Sequence, residues 1–67
     1  MGERLENRLR EERARRNLTQ AQLAELVGVS RKTINTVENG VFVPSTVLAL
    51  RLARALETTV EALFALR

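Results

Sequence analysis

The sequence contains no cysteine, no histidine, no aspartate and no tyrosine. Without cysteine and histidine the chain has neither disulfides nor the usual ligands of a zinc ion, so we expect no metal site. The same absences remove most nucleophiles and general bases, and the glutamates are scattered along the chain. An enzyme is therefore the least supported class of function, and we expect no cofactor.

Long apolar runs are missing as well. No stretch approaches the ~18–20 apolar residues of a membrane span, and the first 13 residues, MGERLENRLREER, are charged throughout and lack the apolar core of a signal peptide. We therefore expect a cytoplasmic protein without a membrane partner. A chain of 67 residues accommodates one domain, spanning residues 1–67, and shows no pocket for a small-molecule effector.

Charge is mild and is carried by few residue types. Eleven Lys and Arg side chains stand against eight glutamates, which gives a formal net charge of +3. Ten of the eleven cations are arginine, which favours planar, bidentate contacts. So small an excess does not by itself indicate a nucleic-acid partner, and the positions of the charges must decide that question.

The stretch Thr19–Gly40, TQAQLAELVGVSRKTINTVENG, predicts two short helices joined by a tight turn. Thr19 suits an N-cap, and Gln22 three residues later completes a capping box. Ser30 caps the second helix in the same way, and Gly28 suits the positive φ that a short turn requires. Two helices that meet at roughly 90–120° through such a turn form a helix-turn-helix motif.

This pattern resembles the DNA-binding domain of the Cro and phage-repressor family, over nearly the whole chain. The resemblance implies a compact, all-α domain of five helices with the helix-turn-helix at helices 2 and 3. The predicted helices run from about Glu3 to Arg15 or Arg16, from Gln20 to Leu26 or Val27, from Arg31 to Glu38, from Thr46 to Leu56, and after a Thr59 cap through Val60, Leu63 and Phe64. The residues that carry the likeness are Leu18 to Ala24, Val27 to Ser30, Ile34, Val37 to Gly40, Pro44, Ser45, Leu48 to Leu56, Leu63 and Phe64.

Helix 3 is the candidate recognition helix. Ile34 and Val37 point into the core, so the polar side chains at positions 31, 32, 35 and 36 must project outward, where they could read base edges in the major groove. Arg31 can bond guanine O6 and N7, and Lys32 can do the same less rigidly or bind a phosphate. The alternative is a solvated helix face that is only basic. The predicted base contacts are Arg31, Lys32, Asn35, which suits adenine or a phosphate, and Thr36, which suits a thymine methyl.

A second set of residues is predicted to contact DNA phosphates. Gln20 lies in the first turn of helix 2, where free N–H groups favour an anion, and the resemblance sets it against a phosphate; an ordinary exposed glutamine is the alternative. In the family, the corner that Asn39 forms with Gly40 presents a backbone N–H to phosphate. The following loop, residues 41–43, departs from the family because it has no basic residue, and Phe42 packs under the loop or against a partner. The predicted phosphate contacts are Thr19, Gln20, Thr33 and Asn39.

The resemblance also implies a partly buried ion pair between Arg13 and Glu38. A lone buried carboxylate would be costly, so a guanidinium partner is the plausible remedy. A phosphate contact is the alternative or shared role of Arg13. Asn17 and Glu57 stand where the family more often has glycine, so a left-handed backbone is expected at both.

One recognition helix reads only a few base pairs, so the expected protein is a sequence-specific regulator, a repressor acting as a homodimer on a palindromic operator in double-stranded DNA. Part of the set Leu48, Phe64 and Leu66 is expected at the two-fold interface, with a frayed terminus as the alternative for Leu66. The competing function is a protein-interaction module, bridging or antitoxin-like, with secondary DNA binding. The apolar loop and the modest net charge motivate that alternative.

Overall fold

In the computed structural model, which describes residues 3–67, the chain forms five helices and two short strands. Helices 2, 3 and 4 lie within one residue of their predicted bounds. Among the described residues no helix is long and apolar enough to cross a membrane. The elements in chain order are β1 (Leu5–Asn7), α1 (Leu9–Arg15), α2 (Gln20–Val27), α3 (Arg31–Glu38), α4 (Thr46–Ala55), α5 (Val60–Leu63) and β2 (Phe64–Leu66).

Side-chain caps begin four of the helices at the predicted residues. The Thr19 hydroxyl accepts the N–H of Gln22 at 3.0 Å, and the Gln22 side-chain oxygen accepts the N–H of Thr19 at 2.8 Å, which completes the capping box. Each such cap pairs an N–H group that the helix itself leaves without a partner. The other side-chain caps, each accepting the N–H three residues on, are Ser30, Ser45 and Thr59.

The core lies where α2, α3 and α4 meet. α2 packs on both α3 and α4, and burying each large aliphatic side chain there contributes about 1.5–3 kcal/mol. Ile34 and Val37, at 0% and 1% exposure, hold α3 by one side. The opposite side of α3 must therefore face solvent. The remaining fully buried large side chains are Leu9, Leu23, Leu52, Leu56 and Leu63.

α1 is shorter than predicted. The sequence predicts a helix from about Glu3, whereas α1 begins at Leu9, and Leu5 lies in β1. Asn7 marks the boundary because its side-chain oxygen accepts the N–H of Leu9 at 3.2 Å. This bond satisfies a first-turn donor and starts the helix at that point.

A small sheet corrects the prediction of an all-α fold. β1 and β2 pair antiparallel, with Leu5 opposite Leu66. The predicted helix after Thr59 therefore ends at Leu63, and Phe64 is extended, with φ −126° and ψ 140°. A helix of four residues has little stability of its own, so the following backbone groups pair with β1 instead. Leu66 is thus a strand residue rather than a frayed end.

The left-handed backbone predicted at three connections is present at each, and Gly40, after α3, adopts one as well, with φ 74°. Gly28, between α2 and α3, has φ 78°. Asn17 and Glu57 have φ 58° and 55°, in a region that costs a residue with a Cβ roughly 1–2 kcal/mol. Asparagine tolerates this conformation better than glutamate does, so Glu57 is the more strained of the two.

Candidate nucleic-acid interface

The outer side of α3 carries three of the four predicted base-reading residues. Arg31, Lys32 and Asn35 are exposed, and they line one shallow depression. Within residues 3–67, neither Arg31 nor Lys32 takes part in an ion pair. Their charges therefore remain available to a ligand that approaches this side.

Thr36, the fourth predicted base contact, lies between the two sides of α3 and is half-buried. Its hydroxyl donates to the carbonyl oxygen of Thr33 at 2.9 Å, one helical turn back. The hydroxyl is thus occupied within the helix. The methyl group remains for the predicted contact with thymine.

The first turn of α2 lies beside the start of α3. Thr19, Gln20 and Arg31 border one common depression, so backbone N–H groups of a helix N-terminus and an arginine converge there. The hydroxyl of Thr33 is 3.0 Å from that of Ser30 at the start of α3. These positions suit the predicted phosphate contacts of Thr19 and Thr33.

The side chain of Gln20 is already engaged. Its amide nitrogen donates to Glu38 Oε1 at 3.0 Å and to Asn35 Oδ1 at 3.2 Å. A phosphate contact through that nitrogen would have to displace these bonds. The backbone N–H of Gln20, in the first turn of α2, is the group better placed for an anion.

The corner after α3 also uses its donors internally. The N–H groups of Asn39 and Gly40 donate to the carbonyl oxygens of Asn35 and Val37, each at 3.1 Å. The two following N–H groups both donate to Thr36 O, at 2.9 and 3.2 Å. A backbone contact from this corner to phosphate must therefore be shared with a bond the fold already makes.

Glu38, at the end of α3, is the centre of a polar cluster. Arg13 Nε lies 2.6 Å from Glu38 Oε2, and the glutamate side chain is 0% exposed. Arg10 Nε lies 3.4 Å from Glu38 Oε1, and Gln20 donates to the same oxygen. Arg13 also donates to the carbonyl oxygen of Leu18 at 2.8 Å. The cluster ties α1, α2 and α3 together.

The charge state of Glu38 follows from these contacts. Burial alone raises the pKa of its carboxyl, but the hydrogen bonds from Arg13 and Gln20 and the charge of Arg13 outweigh burial and hold the pKa below its ordinary value. Glu38 is therefore ionised at neutral pH. Arg10 and Arg13 thus both pair with the Glu38 carboxylate. Arg31 and Lys32 are the cations on the outer side of α3.

Comparison with known proteins identifies the family. The sequence model of the helix-turn-helix family matches residues 9–63, more than half of the chain. The chain belongs to the helix-turn-helix family. The resemblance to the Cro and phage-repressor type is thereby confirmed, and the protein is a transcriptional regulator with a DNA-binding helix-turn-helix domain.

Relatives of this helix-turn-helix regulator cover most of its length. It is 40% identical over 60 residues to the uncharacterized regulator YgzD of Bacillus subtilis, spanning 90% of this chain and 91% of the relative. An uncharacterized regulator of Methanothermobacter thermautotrophicus is 54% identical over 48 residues, spanning 72% and 70%. Both relatives are named as helix-turn-helix transcriptional regulators, in agreement with the family match.

Solved structures agree. The restriction-modification controller protein C.AhdI of Aeromonas hydrophila superposes with a TM-score of 0.78 at 40% identity, over 82% of this chain and 83% of that one. The clp gene regulator ClgR of Corynebacterium glutamicum superposes with a TM-score of 0.75 at 33% identity, over 78% of this chain and 55% of that one. The helix-turn-helix regulator shares its fold with both.

The contacts of two residues of the helix-turn-helix regulator were not predicted from the sequence. Arg10, on α1, donates to Asn39 Oδ1 at 2.9 Å. Asn7 donates to the carbonyl oxygen of Val37 at 3.0 Å, which attaches β1 to the end of α3. Both partners lie about 30 residues away in the sequence, so local patterns could not predict these contacts. The only local signal was an asparagine, Asn7, shortly before a helix.

The predicted interface residues of the regulator differ in what they offer a partner. Leu48 is 8% exposed and belongs to the core, so it leaves little area for a second copy. Phe64 is half-buried against the core. Leu66 is 64% exposed on β2. Of the three residues, Leu66 alone is largely open.

Proposed function

We propose that this regulator binds a palindromic operator in double-stranded DNA as a homodimer, with α3 in the major groove, and that it represses transcription. One observation carries the proposal. α3 is held to the core by Ile34 and Val37, while Arg31, Lys32 and Asn35 stand in solvent on its other side. A helix anchored in this way can enter a groove without unfolding any part of the domain.

The roles of the side chains follow from their chemistry. Arg31 offers two donors in one plane, which match guanine O6 and N7, and Lys32 offers a point charge to a base or a phosphate. The first turn of α2, beside Arg31, supplies backbone N–H groups to a phosphate. Such phosphate contacts set the orientation of the domain, and the base contacts then select the sequence.

A homodimer follows from the size of the recognition helix. Eight residues of α3 span roughly 12 Å, which reaches only a few base pairs. Two copies related by a dyad would read two half-sites about one helical turn apart, roughly 34 Å. A dimer seated on a promoter obstructs polymerase without further contacts, and we therefore favour repression. The named relatives come from a bacterium and an archaeon, in which DNA lies in the cytoplasm, and we propose that location.

The deciding experiment is a selection of bound fragments from genomic and random DNA. We expect enrichment of a palindrome whose half-sites are centred about 10–10.5 base pairs apart. A single asymmetric site would contradict the homodimer. The absence of any enriched sequence would contradict sequence-specific binding altogether.

One observation favours a second candidate, a protein-interaction module. The apolar loop after α3 is open, with Val41 78%, Phe42 48% and Val43 66% exposed, and exposed apolar patches often mark interaction sites. A salt titration separates the two functions, because DNA binding through several phosphates weakens steeply as salt rises. A flat response would favour the protein partner.

A further inference from the structure

The side-chain amides of Gln20, Asn35 and Asn39 form a chain of hydrogen bonds from α2 to the end of α3. At its first end, where Gln20 meets Glu38, the donor and the acceptor can be assigned. The Glu38 carboxylate can only accept hydrogen bonds, so the Gln20 amide atom 3.0 Å from it must be the nitrogen. The same nitrogen lies 3.2 Å from the side chain of Asn35. The Asn35 atom that faces Gln20 must therefore be the acceptor, Oδ1.

The other end of the chain leads to the same assignment. The guanidinium of Arg10 can only donate, so the Asn39 amide atom 2.9 Å from it must be the oxygen. The remaining amide atom of Asn39 is then the nitrogen, and it lies 3.3 Å from Asn35 Oδ1. Two charged groups, the Glu38 carboxylate and the Arg10 guanidinium, thus fix the orientation of one exposed amide on α3.

We propose that Asn35 is a donor-only specificity residue, which presents its amide nitrogen to the major groove and selects a base that offers an acceptor. The proposal rests on the proposed function, since it presumes that α3 reads DNA. Oδ1 already accepts two hydrogen bonds, from Gln20 and Asn39, and so has no lone pair left. The bidentate pair with adenine requires Oδ1 to accept from N6. Guanine and thymine offer acceptors and are selected. Adenine offers its N7 acceptor only beside the N6 donor, which stays unpaired and disfavours it, and cytosine, with only a donor at its edge, is rejected.

In this view Gln20 and Asn39 are positioning residues, because they act on the base through Asn35. The bond from Asn39 to Asn35 can be removed without touching the first end of the chain, since Asn39 is not a partner of Gln20 or Glu38. Loss of that bond returns a lone pair to Oδ1 and permits the pair with adenine. A residue with a purely structural role would instead weaken binding to every sequence alike.

The test is a selection from random DNA with the wild type, Asn35→Ala, Asn35→Asp and Asn39→Ala, and with Arg31→Ala as a second base-contact variant. Asn35→Ala identifies the position that Asn35 reads, because preference there disappears. At that position we expect the wild type to favour guanine or thymine over cytosine by about tenfold. Asn35→Asp, which offers only acceptors, should invert the preference towards cytosine, and Asn39→Ala should raise the share of adenine severalfold.

Several outcomes overturn the proposal while the proposed function stands. Adenine favoured over both guanine and thymine by the wild type at that position would show that Oδ1 accepts from N6 and is therefore free. An unchanged pattern with Asn35→Ala, when Arg31→Ala relaxes another position, would show that Asn35 touches no base. If the wild type enriches no sequence at all, the proposed function itself fails and the inference with it. Thermal unfolding of each variant checks folding, and wild type with Asn35→Ala decides the matter should Asn35→Asp not fold.

Discussion

The two ends of α3 are both polar and serve opposite purposes. At the end of the helix, the side chain of Glu38 is 0% exposed and bonded to Arg13, Arg10 and Gln20. At its start, Arg31 and Lys32 are exposed. The last turn of α3 therefore stabilises the fold through the ion pairs of Glu38. The first turn presents Arg31 and Lys32, which form no ion pair within residues 3–67. We therefore expect the position of a polar residue along α3 to decide whether its loss affects folding or DNA binding.

The physical cause of the division is the crossing of the helices. The end of α3 meets α1 and α2, where water is excluded and a carboxylate persists only with several donors around it. The start of α3 follows the turn at Gly28, and its first two residues, Arg31 and Lys32, are exposed. A charge placed there keeps its hydration until a ligand replaces the water.

Removal of the buried carboxylate should give the largest effect. Glu38→Ala leaves the Arg13 guanidinium, on a side chain that is 16% exposed, without its partner, and we expect a loss of about 3–5 kcal/mol in the free energy of unfolding. Urea denaturation followed by circular dichroism measures it. Glu38→Gln, which keeps an acceptor, is the matched control and should lose less. Equal stability of Glu38→Ala and wild type would erase the contrast between the two ends.

Removal of the outer arginine should give the opposite signature. Arg31→Ala should weaken DNA binding by about 1–3 kcal/mol and relax preference at one base position, while stability changes by less than about 0.5 kcal/mol. Gel shifts with the selected operator and its single-base variants measure the affinity and the base preference, and urea denaturation measures the stability. Arg54→Ala, an exposed arginine of α4, controls for the lost charge. An equal loss on every sequence would make Arg31 a phosphate contact.

Acid should reduce the contribution that Glu38, at the end of α3, makes to the stability of the fold. The pKa of Glu38 is lower in the folded chain than its ordinary value of 4.5, so its contribution to stability is present above that value and is lost as pH falls through the folded pKa. Urea midpoints of wild type and Glu38→Gln between pH 7 and pH 3 should therefore converge as pH falls. Parallel curves would mean that the Glu38 carboxyl has the same pKa in both states.

The smallest effect concerns a position far from both ends. Glu57→Gly should stabilise the fold by about 0.5–1 kcal/mol, because it relieves a left-handed residue at some cost in unfolded-state freedom. The ion pair that is lost, Arg16 to Glu57 at 3.3 Å, involves a side chain that is 78% exposed and contributes little. Glu57→Ala loses the same pair and keeps the Cβ, so it should show no gain. Thermal unfolding distinguishes the variants.

The helix-turn-helix was predictable because its signals are local. Thr19 with Gln22, Gly28 and Ser30 each act on backbone within a few residues, so their effect does not depend on the rest of the fold. The inward direction of Ile34 and Val37 follows from helical period in the same way. The outward set that includes Arg31 and Asn35 is then the remainder of the helix.

The sheet and the amide chain were not predictable because their partners are distant in sequence. Leu5 pairs with Leu66, and Arg10 bonds Asn39, 29 positions away. The residues next to Leu5 and Arg10 therefore give no indication of these contacts. The residues before Leu9 read as helix by local propensity, and tertiary pairing overrode it. The same reason hid the orientation of the Asn35 amide.

By itself the sequence determined which helices form, where α2, α3 and α4 begin, and which side of α3 faces the core, since caps and periodicity act over a few residues. The tertiary structure alone decided that Leu5–Asn7 is a strand, that Arg10 joins Arg13 on Glu38, and that Oδ1 of Asn35 faces Gln20 and Asn39. Those outcomes depend on donors and acceptors brought together by the packing of three helices, and a polar side chain takes its direction from the partners that it meets there.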